Sequence, residues 1–207
     1  MDRPVGNVLE VSSVALDRAL TESGTLALRA LPDQVELLLR RLNVPPRLAA
    51  HLRVVHDVAY RLVDLLSRRY PGVRIDREAV IYGAATHDIG KSVRTEELSG
   101  PGSAHEEIGY RLLLDHAVAE RLARFARTHA EWARADITLE DLLVSLADKV
   151  WKGKRVPELE QLIVDHLAAA SRQEPWEVFM ALDDILGELA EDADQRLAFQ
   201  AQHPITP

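Results

Sequence analysis

The sequence predicts an all-α fold, and three observations carry that expectation. Apolar residues recur at helical spacing along nearly all of its 207 residues. Helix punctuation falls where those stripes start and stop: Asn43 before a proline pair, Asp76 before an apolar run, Gly153 after another. No stretch alternates for long enough to read as a sheet, and only VLEV at 8–11 suggests a short strand or a flexible arm.

The elements follow in order. Residues 16–42 suit one or two helices, interrupted near Gly24 and Pro32, with Asp33 near the start of the second and Arg40 and Arg41 near its end. NVPPRL at 43–48 ends that helix and opens the next, over about 47–69, whose stripe runs through Leu48, His51, Val55, Val58, Ala59, Leu62, Leu65 and Leu66. After the loop YPGVRID, Asp76 caps a helix carrying EAVIYGAATHD, apolar almost all round and therefore central, which ends near Ile89 and Gly90. The Gly-rich loop at 99–103 precedes a helix that Ser103 can cap. Further helices are expected at 117–134, 139–152, 157–172 and 175–201. The last of these carries an apolar face from Trp176 to Leu197, for packing on the core or on a second subunit.

Composition narrows the chemistry. There is no Cys, which excludes zinc–thiolate sites, iron–sulfur clusters and cysteine nucleophiles, so a metal site must use His, Asp and Glu. A net charge of -8 argues against extended nucleic-acid binding but leaves room for a local anion pocket. No apolar run approaches the roughly 20 residues that span a bilayer, and the N-terminus lacks a signal-peptide layout, so a cytoplasmic protein is expected. Of 25 basic side chains only four are Lys, and these stand in HDIGK (Lys91) and DKVWKGK (Lys149, Lys152, Lys154). Two segments of an Arg-rich chain thus call for compact point charges, with chance clustering as the plainer alternative.

His87 and Asp88 end the apolar run AVIYGAAT, where unpartnered polar groups would each cost roughly 2–7 kcal/mol. A buried carboxylate needs a cation, and a metal supplies one; a pair satisfied by backbone and water is the plainer reading. Asp148 stands at a core position of LLVSLAD, with an ion pair to Lys149 or an Arg as its plain alternative. His51 lies on the inward stripe. His56, rotated by about 140° from it, competes as a ligand or contacts substrate. His105 opens a helix, and His129 follows an apolar turn. Glu106 suits a proton shuttle or simply a helix first turn, and His116, His166 and His203 have no supporting context.

In this order, H…HD…D with THDIGK at 86–91 and LADKVWKGKR at 146–155, the chain resembles the HD-domain superfamily of metal-dependent phosphohydrolases over about residues 47–155. AHEEIG at 104–109 and RTHAEW at 127–132 resemble the two extra His segments of members with a two-metal site, in particular the bacterial enzymes that split diadenosine tetraphosphate symmetrically.

The resemblance implies an HD-domain helical bundle over residues 46–173, with an N-terminal accessory helical segment over 1–45 and a C-terminal helix over 174–207. It implies one metal held by His51, His87, Asp88 and Asp148, and a second completed by His105 and His129, with Asp88 bridging. One or two divalent ions are expected (Fe, Mn, Co, Ni or Zn, with Mg also possible). A metal-activated water would attack phosphorus, with Asp88 and Lys91 as catalytic residues and Lys91, Lys152, Lys154 and Arg155 binding the substrate. The expected substrate is a small phosphorylated compound, a nucleotide by this resemblance, and a homodimer is compatible with the C-terminal face. The gap between His51 and His87 is longer than in the family, which keeps His56 open as the first ligand. Three alternatives stand beside this reading: a (p)ppGpp-type pyrophosphohydrolase or nucleotide phosphomonoesterase using one metal, a regulatory HD module without turnover, and oxygen-dependent di-iron chemistry.

Overall fold

Helix α3 (Pro46–Arg69) organises the protein. The computed structural model describes residues 6–22 and 24–206, and every residue from 48 to 59 of α3 is buried. Two opposite faces of this helix are therefore covered. On one side lie α1 (Gly6–Thr21) and the segment leading to α2 (Asp33–Arg41); on the other lie α4 (Arg77–Thr86), α8 (Leu139–Val150) and α11 (Ala193–Ala201). Among the described residues the structure is helical with no strand, in keeping with the all-α expectation.

Between α4 and α8 the chain runs through short pieces. These are 3-10 turns at Ile89–Ser92 and Thr95–Leu98, helix α5 (Ala104–Asp115), and two single turns, α6 (Glu120–Ala123) and α7 (Phe125–Thr128). Beyond α8, α9 (Pro157–Ser171) packs on α8, and α10 (Pro175–Ala190) packs on α9 and α3. One apolar core runs from Leu16 to Phe199 through all of these elements. Each fully buried Leu or Ile in it contributes about 1.5–3 kcal/mol.

Punctuation read from sequence recurs in the backbone. Asn43 adopts φ 46° just past α2, Pro45 and Pro46 open α3, and Asp76 accepts a 3.0 Å hydrogen bond from the Ala79 amide at the start of α4.

Four expectations are corrected. VLEV at 8–11 is helical, inside α1, while residues 1–5 of the expected arm lie outside the described residues. Ser103 occupies the N-cap position of α5 but its hydroxyl makes no cap bond; the Glu97 carboxylate accepts from the His105 amide instead. The helix expected at 117–134 is broken, because α5 closes with Ala117 at φ 60° and the Val118 amide reaching back to the Leu113 carbonyl, which redirects the chain. The helix expected at 175–201 divides between Ala190 and Ala193. There the buried Arg196 guanidinium donates to the Leu189 carbonyl (2.6 Å), satisfying an orphan acceptor at the end of α10 and turning α11 onto the core.

Candidate metal centre

Six side chains converge where α3, α4, α5 and α8 meet. His51 comes from the second turn of α3, and Asp148 from the last turn of α8. His87 and Asp88 follow α4, His105 is the second residue of α5, and His129 follows α7. All six are more than nine-tenths buried.

The geometry divides them into two groups of three, His51–His87–Asp148 and Asp88–His105–His129, with ligand atoms in each group within 4.8 Å of one another. In the first, the Nε2 atoms of His51 and His87 are 3.3 Å apart, and Asp148 Oδ1 lies 3.6 and 3.5 Å from them. Asp88 Oδ2 closes this set from 3.3 Å (His51) and 3.7 Å (His87). These separations approach the roughly 3.0–3.4 Å between adjacent ligands of an ion with ~2.1 Å bonds. The other oxygen, Asp88 Oδ1, faces His105 Nε2 at 3.0 Å and His129 Nε2 at 3.5 Å. One carboxylate thus presents an oxygen to each group. His56 lies elsewhere on α3, in the field of Asp57, Arg29 and Arg53, and burial lowers its pKa to about 4. The structure brings His51 to the cluster and leaves His56 out of it.

The donor chemistry fits a divalent cation. His87 and His129 direct Nδ1 at the backbone carbonyls of Ala84 (2.9 Å) and Ala126 (3.1 Å), and His105 Nδ1 meets Glu97 Oε2 at 2.5 Å. An Nδ1–H donated outward leaves Nε2 as a free lone pair facing inward, the arrangement metal-bound imidazoles use. Asp88 Oδ1 and His105 Nε2, though close, are buried without an aligned hydrogen bond, which suits atoms that would share an ion. Burial alone would raise the Asp88 pKa. The His87 imidazole, followed by His105, His129 and His51, reverses this and holds the carboxyl well below its usual range. For Asp148 desolvation is again outweighed, by His87, Lys149 and His51.

The second group rests on devices that sequence reasoning missed. Glu97 is one. Asp141 is another: its buried carboxylate accepts from the Thr138 amide and hydroxyl and from Thr128 Oγ1 (2.7 Å), and pairs with Arg124, fixing the turn that ends in His129. A third is close backbone approach. A Cβ on Gly90 would stand 2.0 Å from the His105 carbonyl oxygen and 2.7 Å from the Gly109 nitrogen, so only glycine lets the HD turn touch α5. The S/T-x-x-D spacing of Thr138 and Asp141 was the available signal for one of them; the Glu97 and Gly90 contacts are tertiary and carry none.

A cavity of about 350 Å³ opens over both groups. Lys91, Lys149 and Lys152 line it, with Lys91 Nζ 2.6 Å from Asp88 Oδ2 and Lys149 Nζ 2.7 Å from Asp148 Oδ2. The Lys152 ammonium is held below the usual lysine value by desolvation and by its neighbours Lys149 and Lys154. Glu106 also lines the cavity, and desolvation raises its pKa. Lys154 and Arg155 lie outside the lining, and Arg155 is bound to Glu160 (2.7 Å) and Asp183 (2.8 Å). His116 lines a different cavity, His166 is exposed on α9, and His203 packs on Phe199. Trp151, edge-on to His51 with ring centroids 5.1 Å apart, and Gln200 of α11 complete the wall unforeseen.

The HD domain family matches residues 48–151, half of the chain and the span that carries every one of these ligand-type residues. The chain belongs to the HD domain family, whose members bind divalent metals and are generally metal-dependent hydrolases. No curated protein and no solved structure matches it. Among the described residues no helix is long and apolar enough to cross a membrane.

Proposed function

We propose that this chain is a phosphohydrolase with two divalent ions, acting on a phosphoester or phosphoanhydride of a nucleotide. The observation that carries the reading is the Asp88 carboxylate, which turns one oxygen to His51 and His87 and the other to His105 and His129 on the floor of a lysine-lined cavity. His51, His87, Asp88 and Asp148 would hold one ion; His105, His129 and Asp88 would hold the other. Such ions supply Lewis acidity toward phosphoryl oxygens and lower the pKa of a coordinated water. All-N/O ligation rich in imidazole favours Mn, Fe, Co, Ni or Zn over Mg.

The protein's own groups do the rest. Lys91 and Lys149, each already against a carboxylate of one group, place an ammonium where a phosphoryl oxygen over that group can accept from it. Lys152 adds charge at the cavity wall, and the net charge of -8 then describes the exterior. Leu48, Leu98 and Trp151 add apolar surface to the same lining. The local sequence around HDIGK and LADKVWKGKR supports, within this class, the symmetric diadenosine tetraphosphate hydrolases. A cytoplasmic location and a homodimer belong to the same reading; the exposed Trp176, Phe179 and Met180 on α10 support the latter.

The test is phosphate and nucleotide release from a panel of AMP, ADP, ppGpp, diadenosine tetraphosphate and p-nitrophenyl phosphate, with protein reconstituted in turn with Mn, Fe, Co, Ni, Zn and Mg. Metal-dependent turnover of at least one nucleotide is expected, and Lys152→Ala should raise its KM more than Lys154→Ala does. Absence of turnover across the panel refutes the reading.

A further inference from the structure

The cavity over the metal centre is not built by the matched span alone. Gln200 comes from α11, nearly fifty residues beyond the last matched position, Trp151, yet it lines the same cavity. Its side-chain amide makes no hydrogen bond to any described residue.

The placement of α11 is fixed at both ends by arginines. At its start the Arg196 guanidinium, 1% exposed, donates to the carbonyl of Trp151 (3.1 Å) and to that of Leu189 (2.6 Å). At its end Arg47, one residue before the cavity-lining Leu48, donates to the carbonyls of Ala201 (3.1 Å) and His203 (2.9 Å), while the Arg47 amide donates to Pro204 (3.0 Å). Burying the Arg196 guanidinium is costly unless its donors are matched by acceptors, and they are spent on these two carbonyls; the half-buried Arg47 holds the other end of the same short helix. Phe199 packs into the core beside the half-buried Gln200, which fixes the rotation of the helix.

The cavity lining is divided in character. Lys91, Lys149 and Lys152 answer a phosphate, whereas Leu48, Leu98, Trp151 and Gln200 offer apolar surface and one neutral amide. An amide carries a donor and an acceptor side by side, which is the complement of the donor–acceptor edge of a purine or pyrimidine. A volume of about 350 Å³ lies at the small end of small-molecule sites, enough for one nucleoside phosphate.

We propose that α11 is the specificity wall of this site, in which the Gln200 amide hydrogen-bonds the heterocycle of a nucleoside-phosphate substrate and Arg47 is the positioning residue that holds Gln200 there. The proposal rests on the phosphohydrolase reading for its kinetic test but not for its binding test.

The experiment compares wild type, Gln200→Ala, Gln200→Glu and Arg47→Ala, with Arg47→Lys as the conservative partner. One hydrogen bond to the base is worth about a five- to tenfold effect. The ratio of kcat/KM for AMP to kcat/KM for p-nitrophenyl phosphate should fall by about that factor in Gln200→Ala, through KM. It should also fall in Gln200→Glu, whose carboxylate can accept from the heterocycle but no longer donate to it. Arg47→Ala should lower the same ratio, with partial rescue by Arg47→Lys; a merely structural role would lower both substrates together. Calorimetric titration with AMP in the presence of Mn should show the same loss of affinity in Gln200→Ala. If wild type binds AMP but hydrolyses nothing, the hydrolase reading fails and the α11 proposal stands on the titration. Unchanged AMP affinity and an unchanged substrate ratio in Gln200→Ala overturn the proposal, as does a wild type that does not bind AMP.

Discussion

The two ligand groups are built by different means. The first, His51, His87 and Asp148, hangs on three helices packed in the core, and its geometry follows once α3, α4 and α8 pack. The second, Asp88, His105 and His129, hangs on a 3-10 turn, a helix start and a one-turn helix, and needs its own scaffold: Gly90 against α5, Glu97 under His105, and Asp141 gripping Thr128. The first is secured by the general core. The second is secured by a few specific polar contacts, so it can be lost while the fold and the first group remain.

The largest break expected is at the first group. His87→Ala should lower turnover by about a thousandfold or more, because several kcal/mol of transition-state stabilisation goes with the ion. Circular dichroism should still report a helical protein. Next comes Gly90→Ala, whose Cβ collides with backbone rather than with a mobile side chain. It should cost about 1–3 kcal/mol in denaturant unfolding and release the second ion while the first stays. Retention of both ions would show that the second group tolerates displacement and would erase the contrast. Glu97→Gln keeps the size and removes the charge beneath His105. Affinity at the second group should drop about 10–100-fold, read by competition with a chelator, with the first group unmoved.

The smallest effect sharpens the comparison from outside the centre. His56 has its pKa lowered to about 4 by burial, with Asp57 opposing and Arg29 and Arg53 adding to the shift. The unfolded chain therefore binds a proton there near pH 6.5 while the folded one does not, so this residue costs stability as pH falls from about 6.5 toward 4. His56→Leu should unfold with less loss over that window than wild type, in metal-free protein, and should leave metal binding alone. An identical acid profile in the two proteins would contradict the assignment.

How much of this was legible follows the same division. The stripe on α3 pointed His51 inward, and the apolar run before His87 and Asp88 marked a buried pair. The stripe also hid something. It left Arg53, His56 and Asp57 on what reads as an outer face, yet all three are buried. The N-terminal segment covers that face, held by Arg53 donors to the carbonyls of Ala19 and Leu28 at 3.3 Å and Arg29 at 3.1 Å. An arginine that binds carbonyls leaves no periodic trace. Nor does Gln200 reaching a cavity from α11, or Glu97 replacing Ser103 as the cap of α5, since each depends on a contact between distant elements. The break in the last helix depended likewise on Arg196 finding the Leu189 and Trp151 carbonyls.

The measurement that tests the shared Asp88 most directly is metal per chain after reconstitution with Mn and removal of excess ion, for wild type, His129→Ala and Asp88→Ala. Two ions are expected in wild type, one in His129→Ala, and loss of both tightly held ions in Asp88→Ala with helix content retained. One ion in wild type that persists undiminished in Asp88→Ala would contradict it.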